Sequence, residues 1–458
     1  MFLVFQILWL FSLLLAPAQS FIRKPNISSF IDSLSYIDPF PFWQKEIEDK
    51  PSPYELEEEL DVWPEYDDKS FDIEPQNEPL QQVCDISIRK DIEDPKQPLF
   101  IKTGTTEFYP YDSNGVMSVA TREDIELVCT QGFASPIQGY NVIATCVDGL
   151  NFMIAGRSRS LDSVTCASWN KVTTRVLSNS CPGGTKFIDV GFELTPMRFA
   201  SLYQVCFNED FEVTRYVQHT LRKGANFYQN APRPGLFERA GFFQEDLEKV
   251  FTKRDQKLIV DMILGADSSR FFSANIYFLV RGHLAAKADF VLGSQQRATF
   301  FYINTAPQWQ SFNGNNWLAV ENGLRKWVHM NKLDLNCWTG VYGVTTLPNL
   351  NNIPTPLYLY VDMNNNMMHG PVPKLFFKIA IEPFSKRGIV LVGVNNPHLT
   401  LAEIKQDYIL CPDVSDRVTY VNWKKTDIRK GYMYACEVSE FRKVVTHLPT
   451  FDVSGLLL

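Results

Sequence analysis

The sequence predicts an α+β protein in which a mixed or antiparallel sheet is flanked by helices. Two apolar runs, KLFFKIAIEPF (374–384) and GIVLVGV (388–394), have the composition of central strands. A longer segment, FFQEDLEKVFTKRDQKLIVDMILG (242–265), has long helical character and ends at Gly265, a residue that often caps helices. Thr400 to Glu403 has the capping-box pattern, which predicts the start of a short helix.

The N-terminal residues predict export. With 458 residues, the chain is long enough for two or three domains. Residues 1–20 form a short apolar run that contains Ala16-Pro17-Ala18, the small-residue pattern that signal peptidases accept. The alternative is an uncleaved anchor, because no Lys or Arg precedes the run. No later stretch has the ~20 continuous apolar residues of a membrane helix, so we expect a secreted protein with no membrane association after signal removal. Asn26-Ile27-Ser28 is a glycosylation sequon.

An acidic segment accounts for the negative net charge. Residues 46–79 hold 14 Asp or Glu and two Lys, a net charge of −12. The whole chain carries −8, so the rest carries −8 − (−12) = +4. High charge and several prolines predict a disordered linker or pro-segment over 21–83. The alternative is that the acidic run mimics a polyanion and inhibits the protein by lying across a basic cleft.

Nine cysteines predict disulfides and one free thiol. We expect Cys337 to be the free one, because it lies in an apolar stretch. No CxxC pair or Cys/His cluster has zinc-ligand spacing, which argues against a secreted zinc hydrolase. Short alternating runs between residues 84 and 170 predict a small β module stapled by disulfides. Its cysteine order resembles a complement-control (sushi) module, which would imply the pairs Cys84–Cys146 and Cys129–Cys166; the alternative is a family-specific extension.

The stretch 279–327 contains a strand, strand, helix pattern. Ile276 to Val280 is a β-favouring run with Arg281-Gly282-His283 at its end, and Thr299 to Asn304 is predicted as a second strand. Asn313 to Trp317 is typical of a helix start, with Asn313 as the N-cap.

The predicted helix has one apolar face. Trp317, Val320, Leu324 and Trp327 follow the helical period, and Asn313 lies over the same face. We expect Glu321 and Arg325 at the edge of this face.

These residues resemble the signature of the DNA/RNA non-specific endonucleases with the ββα-metal fold. That signature is Asp-Arg-Gly-His, then a metal-binding Asn thirty positions after the His, then a helix with Glu and Arg. Here His283 and Asn313 are thirty positions apart, and the other members are listed in sequence order: Arg281, Asn304, Glu321, Arg325. The chain looks most similar to the secreted arthropod branch, and the resemblance implies a nuclease domain over 175–458. The sequence departs from the signature at one position, where Val280 stands in place of Asp.

The resemblance implies a role for each residue. His283 would be the general base, which suits a neutral imidazole. Asn313 would be the one direct protein ligand of a hydrated Mg²⁺, with Mn²⁺ as the alternative ion. Glu321 would hold metal-bound waters, and Asn304 would position the site. Arg281 and Arg325 would clamp phosphate oxygens. The implied substrates are DNA and RNA, cleaved with little sequence preference to 5′-phosphate products.

Each residue alone has a simpler interpretation. His283 could be structural, Asn313 a helix cap, and Glu321 with Arg325 a surface i,i+4 pair. Trp309 and Phe312 could stack on bases but are more typical of core. The remaining histidines show no paired-ligand spacing and are predicted to be structural: 219, 329, 369, 398 and 447. The alternative function is a catalytically silent secreted protein that binds nucleic acid or glycan through the cysteine-rich module. The sequence does not predict an oligomeric state.

Overall fold

The computed structural model describes residues 83–458 except 95, 232–235, 266, 274 and 363–366. The predicted signal peptide, the Asn26 sequon and the acidic segment lie outside the described residues. Every described residue other than Met367 belongs to one compact unit.

The N-terminal part of the described chain is all β. Two strands, β1 and β3, pair with each other, and five more form a second sheet in the order β2-β4-β5-β6-β7. Disulfides join Cys84 to Cys146 and Cys129 to Cys166, which confirms the predicted pairing. The strands are β1 Val83–Ser87, β2 Leu99–Lys102, β3 Val116–Ala120, β4 Asp124–Val128, β5 Asn141–Asp148, β6 Asn151–Ile154 and β7 Arg157–Ser160.

A nine-stranded mixed sheet organises the rest of the chain. The strands that follow β7 are β8 Thr173–Val176, β9 Lys186–Thr195, β10 Arg198–Asn208, β11 Val213–Leu221, β12 Leu279–His283, β13 Thr305–Trp309, β14 Leu335–Val344, β15 Thr346–Pro348, β16 Pro354–Pro356, β17 Tyr358–Asp362, β18 Met367–Pro371, β19 Pro373–Ile381, β20 Arg387–Val394, β21 Met433–Cys436 and β22 Gly455–Leu456. The large sheet has the order β21-β20-β19-β14-β11-β10-β9-β8, and β22 pairs in parallel with β20. The two runs predicted as central strands are β19 and β20.

The helices are α1 Leu247–Val250, α2 Lys253–Leu264, α3 Gly293–Arg297, α4 Gln310–Phe312, α5 Leu318–Asn331, α6 Leu401–Asp407 and α7 Val438–Val444. The predicted helix over 242–265 is therefore shorter and divided in two, because Thr252 caps α2 through the Asp255 N–H. Gly265 ends α2 at φ 63°, as predicted. Thr400 and Glu403 form the predicted capping box of α6.

The large sheet is covered on both faces. Alternation along β19 sends Phe376 and Ala380 into the core beneath α5, and Phe377 and Ile379 into the core beneath α6 and α7. Disulfides Cys181–Cys206 and Cys411–Cys436 lie in the core on the side of the sheet that α6 and α7 cover. Cys337 is the buried free cysteine, as predicted.

Strands β1 to β7, here called the cysteine-rich strands, share a core with residues that follow β12. Val291 and Leu292 are buried among the apolar side chains of β1 to β6. Asn170 donates to Gln97 O at 3.1 Å and to Ser294 Oγ at 3.4 Å, and Arg198 pairs with Glu126 at 2.8 Å. The protein is α+β, which confirms the predicted class. None of the helices in the described part of the chain has the length and apolar character that crossing a membrane requires.

Candidate active site

A β-hairpin followed by a helix carries the residues predicted for the site. Strands β12 and β13 pair antiparallel, with His283 opposite Thr305 and Arg281 opposite Pro307. The first strand begins at Leu279, three residues later than predicted, so Arg281 and His283 lie within it. The second predicted strand, Thr299 to Asn304, is wrong: Tyr302–Asn304 is a 3-10 turn and the strand begins at Thr305. Phe300 to Ile303 are bulky, β-favouring residues, but they pack into the core instead of a ladder.

Gly282 leaves the space that the Gln308 side chain of the neighbouring strand occupies. A Cβ at this position would lie 2.3 Å from Gln308 Oε1 and 2.7 Å from Gln308 Cβ. No other residue leaves room for the Gln308 side chain to cross the strand. Val280, where the signature has Asp, pairs in register with Gln308, so β12 is regular at this departure.

The helix begins earlier than predicted. Gln310 starts it directly after β13, and Asn313 to Trp317 is a π-helical segment that leads without a break into α5. Asn313 is therefore not an N-cap but a half-buried residue inside the first turns. π-helical segments often mark functional sites, because they change which side chains the helix presents. The predicted apolar face is confirmed, with Trp317, Val320, Leu324 and Trp327 buried.

Aromatic rings flank His283. Its ring centroid lies 5.5 Å from that of Phe237 and 5.1 Å from that of Phe300. His283 is half-buried as a residue, but its Nε2 atom is buried, and the two rings limit the movement of the imidazole.

Arg281 is held by a carboxylate and by aromatic rings. Its Nη1 donates to Glu248 Oε2 at 2.8 Å and to Tyr302 Oη at 3.3 Å. Tyr302 Oη also donates to Glu248 Oε2, at 3.0 Å. The guanidinium lies 5.0 Å from the Phe237 ring centroid and 5.6 Å from that of Phe251.

Asn304 holds the backbone of the two residues that follow His283, Leu284 and Ala285. The Asn304 amide is fully buried; Oδ1 accepts from Ala285 N at 2.9 Å, and Nδ2 donates to Ala285 O at 3.0 Å and to Thr299 O at 2.8 Å. Its backbone carbonyl accepts from Leu284 N at 2.9 Å. The Asn304 side chain therefore holds the local backbone, because its donors and its acceptor are all bonded to main-chain atoms.

Arg325 does not form a surface pair with Glu321. It is 4% exposed, and its Nη1 donates to Asp289 Oδ1 at 2.8 Å while Nη2 donates to Asn322 Oδ1 at 2.6 Å. The surface i,i+4 interpretation is therefore wrong.

Asp289 is the centre of a buried charge cluster. In addition to Arg325, Lys378 Nζ lies 3.1 Å from Asp289 Oδ2, and His219 Nε2 lies 3.0 Å from the same oxygen. Burial opposes ionisation of the Asp289 carboxyl, but Lys378, His219 and Arg325 outweigh it and hold its pKa below the usual range. Burial, together with the charge of Lys378, lowers the pKa of His219, so its imidazole is neutral near pH 7 and donates Nε2–H.

Glu321 interacts electrostatically with Lys378, a member of this cluster. The carboxylate is half-buried, and its charge is one of the groups that raise the pKa of Lys378 against the cost of burying that ammonium. Lys378 faces α5 because it alternates with Phe376 and Ala380 along β19. A charged group in an apolar strand was the available sequence signal for this cluster, and neither Lys378 nor Asp289 was predicted as a site residue.

Among the described residues, Asn313 and Glu321 offer side-chain oxygens of the kind that Mg²⁺ binds. No group of three or more His, Cys, Asp or Glu arranged to hold a metal occurs within 83–458 where the structure describes the chain. Mg²⁺ keeps most of its water and takes few protein ligands, preferably oxygens. A half-buried carboxamide near the helix start and a half-buried carboxylate two turns later on one continuous helix provide such oxygens.

An antiparallel hairpin with a histidine at its strand end, followed at once by an asparagine-bearing helix, is the arrangement expected of the ββα-metal nuclease fold. The chain belongs to the DNA/RNA non-specific endonuclease family, whose model matches residues 183–441. This confirms the family predicted from the sequence.

Relatives of the chain are insect proteins. It is 29% identical over 369 residues to a salivary endonuclease of Lutzomyia longipalpis, covering 79% of this chain and 83% of that protein. It is 22% identical over 386 residues to salivary protein Tsal2A of Glossina morsitans morsitans, covering 82% of this chain and 94% of that protein. A chain in the crystal structure of the EndoG/EndoGI complex is 19% identical and covers 50% of this chain and 84% of that one, with a TM-score of 0.27. That score is too low to bear on the argument. The insect relatives confirm the predicted arthropod branch.

Proposed function

We propose that the chain is a secreted endonuclease that requires Mg²⁺, or Mn²⁺ in its place, and hydrolyses DNA and RNA with little sequence preference. The observation that carries the proposal is the single ββα unit that holds His283, Asn304, Asn313 and Glu321 in one continuous stretch of a family member. The products would have 5′ phosphates, as the family resemblance implies.

In this proposal His283 removes a proton from the attacking water. The imidazole nitrogen accepts the proton as the water oxygen bonds to phosphorus and the bond between phosphorus and the 3′ oxygen breaks. The neighbouring rings of Phe237 and Phe300 support this role, because they limit the positions that the imidazole can take. Asn304 supports the step indirectly, because it fixes the backbone at Leu284 and Ala285 immediately after the base.

Asn313 would bind the ion directly, and Glu321 would accept hydrogen bonds from the ion's waters. The ion, when bound, supplies positive charge that stabilises the phosphate oxygens and the leaving 3′ oxygen.

Arg281 and Arg325 would orient the phosphate. A guanidinium has five N–H donors in a plane, so one edge can pair with a carboxylate while another faces a phosphate oxygen. Nη1 of Arg281 donates to Glu248, and Nη1 of Arg325 donates to Asp289, so these carboxylates hold the two guanidinium groups in place. Arg325 is the more enclosed of the two, so its effect on substrate is expected to be mainly through positioning.

Secretion and regulation belong to the same proposal. The names of the insect relatives place them in saliva, which agrees with a signal peptide over 1–20. Residues 46–79 would be a linker or an inhibitory segment. Comparing activity before and after proteolysis of this segment decides between the two, because equal activity excludes inhibition.

The test is degradation of plasmid DNA and of RNA by the purified mature protein, with Mg²⁺ or with EDTA. We expect degradation that EDTA abolishes and that is lost in His283→Ala and in Asn313→Ala. Asn315→Ala is the matched control, because Asn315 is exposed in the same π-helical segment and its Nδ2 donates to the Ser311 carbonyl oxygen at 2.9 Å. Degradation undiminished in His283→Ala, or lost equally in Asn315→Ala, would contradict the assigned roles.

A further inference from the structure

A basic loop is fastened to the helix that carries Asn313. Residues 424–430, KKTDIRK, contain four cations and one carboxylate. Asn316, three positions after Asn313, is buried, and its Nδ2 donates to Lys424 O at 2.9 Å and to Gly431 O at 2.7 Å. Lys424 N donates back to Asn316 Oδ1 at 2.8 Å. One side chain of the π-helical segment therefore holds both ends of the loop.

Gly431 adds an apolar contact to the same anchor. It has φ 87°, and a Cβ there would lie 2.1 Å from Cδ2 of Phe312, the residue before Asn313. Within the loop, Asp427 Oδ1 accepts from Arg429 N at 3.1 Å and starts a 3-10 turn over Ile428–Lys430. The ends of the loop are thus held by Phe312 and Asn316, which lie on either side of the proposed metal ligand Asn313 in the sequence.

Three cations of the loop are available to a partner. Lys425 pairs with Asp416 and donates to Ser415 Oγ at 2.9 Å, so its charge is used within the protein. Lys424 and Arg429 are exposed and Lys430 is half-buried. In the described part of the chain, Lys425 is the one loop cation that forms an ion pair.

We propose that residues 424–430, called the basic loop, bind the sugar-phosphate backbone of the substrate beside the cleaved bond through Lys424, Arg429 and Lys430. This inference rests on the proposed nuclease function and specifies how the site holds a long polyanion. A rigid row of cations contacts phosphates without reading bases, which suits cleavage that has little sequence preference. Since the loop is fastened to residues on both sides of Asn313, phosphates bound there belong to the strand that enters the site.

The test compares three proteins: the wild type, the triple variant Lys424→Gln/Arg429→Gln/Lys430→Gln, and a control variant. The control, Arg89→Gln/Lys90→Gln/Lys405→Gln, removes the same charge from exposed positions in a turn after β1 and in α6. Dissociation constants for a labelled DNA duplex are measured by fluorescence anisotropy in EDTA over a salt series, and kcat is measured separately with Mg²⁺.

Each phosphate contact contributes about 0.9 to the slope of log affinity against log salt, so three contacts contribute about 2.7. A fourfold rise in salt should then weaken binding by the wild type about 40-fold more than binding by the triple variant. The control should keep the wild-type slope, and its kcat at saturating DNA should stay within about twofold of the wild-type value. A wild-type slope in the triple variant, or an equal loss of slope in the control, overturns the basic loop as a binding surface. A wild type that binds with the expected slope but does not cleave would contradict the nuclease function and leave the loop supported.

Discussion

Replacing Asp289 with Asn should destabilise the protein strongly. The substitution keeps the size of the side chain and removes its charge. Lys378 and Arg325, which are 1% and 5% exposed at their side chains, would then have lost the carboxylate that neutralises them. Two buried cations facing a neutral amide also repel each other, and the amide nitrogen would meet their donors.

The expected loss follows from the burial of the whole cluster. Removing one partner of a buried ion pair costs about 3–5 kcal/mol, because the remaining charge is left uncompensated. We therefore expect Asp289→Asn to lower the free energy of unfolding by about 3–5 kcal/mol. Asp452→Asn is the control, because Asp452 pairs with Lys386 at the surface with its side chain 77% exposed, and such pairs contribute at most about 1 kcal/mol.

Urea unfolding followed by tryptophan fluorescence measures both variants. The difference between Asp289→Asn and the wild type should hold at neutral pH. The folded-state pKa of Asp289 is depressed, so its contribution is present above the unfolded value of about 3.9 and is lost as pH falls below it. The gap between the two proteins should therefore narrow only below about pH 4. A loss no larger than that of Asp452→Asn would refute the view that Asp289 neutralises Lys378 and Arg325.

Three further outcomes are expected. Asn304→Ala should lower kcat about 10- to 100-fold with little change in KM, measured in steady-state kinetics, because it releases the backbone of Ala285 without touching substrate. Cys337 should be silent to a thiol reagent at pH 8 in the native protein and titrate as one thiol after denaturation, since burial raises the pKa of its thiol to about 12. Burial lowers the pKa of His398 to about 4. Between about pH 6.5 and pH 4 the unfolded chain therefore binds a proton at His398 that the folded protein does not bind, and the free energy of unfolding should decrease as pH falls through this range. His398→Gln should make the urea midpoint less dependent on pH over that range, and an unchanged dependence would contradict this assignment.

Local pattern was enough to predict the helix face and the two central strands. The apolar period of Trp317 to Trp327 and the continuous runs of β19 and β20 agree with the cores they enter. The predicted disulfides Cys84–Cys146 and Cys129–Cys166 and the free Cys337 also agree with the structure.

The predicted position of the second hairpin strand is wrong because β-favouring composition does not by itself show which residues pair with the first strand. Residues 299–304 are β-favouring, but tertiary packing uses Phe300, Phe301 and Tyr302 as core, and the ladder forms over Thr305–Trp309 in spite of Pro307. Pro lacks an N–H and is disfavoured in a ladder, except at an edge. In a two-stranded pair each strand has an open edge, so Pro307 can be accommodated.

The charge cluster could not be predicted from local pattern. Asp289 is 36, 70 and 89 positions from Arg325, His219 and Lys378, and only the packing of α5 on the sheet brings them together. Arg325 was placed on the helix edge because its helical position alone does not reveal a buried carboxylate on another element.

The segment between His283 and Asn304 is fixed from three directions. Asn304 holds its start at Ala285, Asp289 ties its middle to the sheet and to α5, and Val291 with Leu292 enters the core of the cysteine-rich strands. A module that bound glycan independently would not need to share its core with this segment. The shared core instead ties the cysteine-rich strands to the segment that follows the histidine, so reducing either disulfide there should loosen the packing of residues 291 and 292.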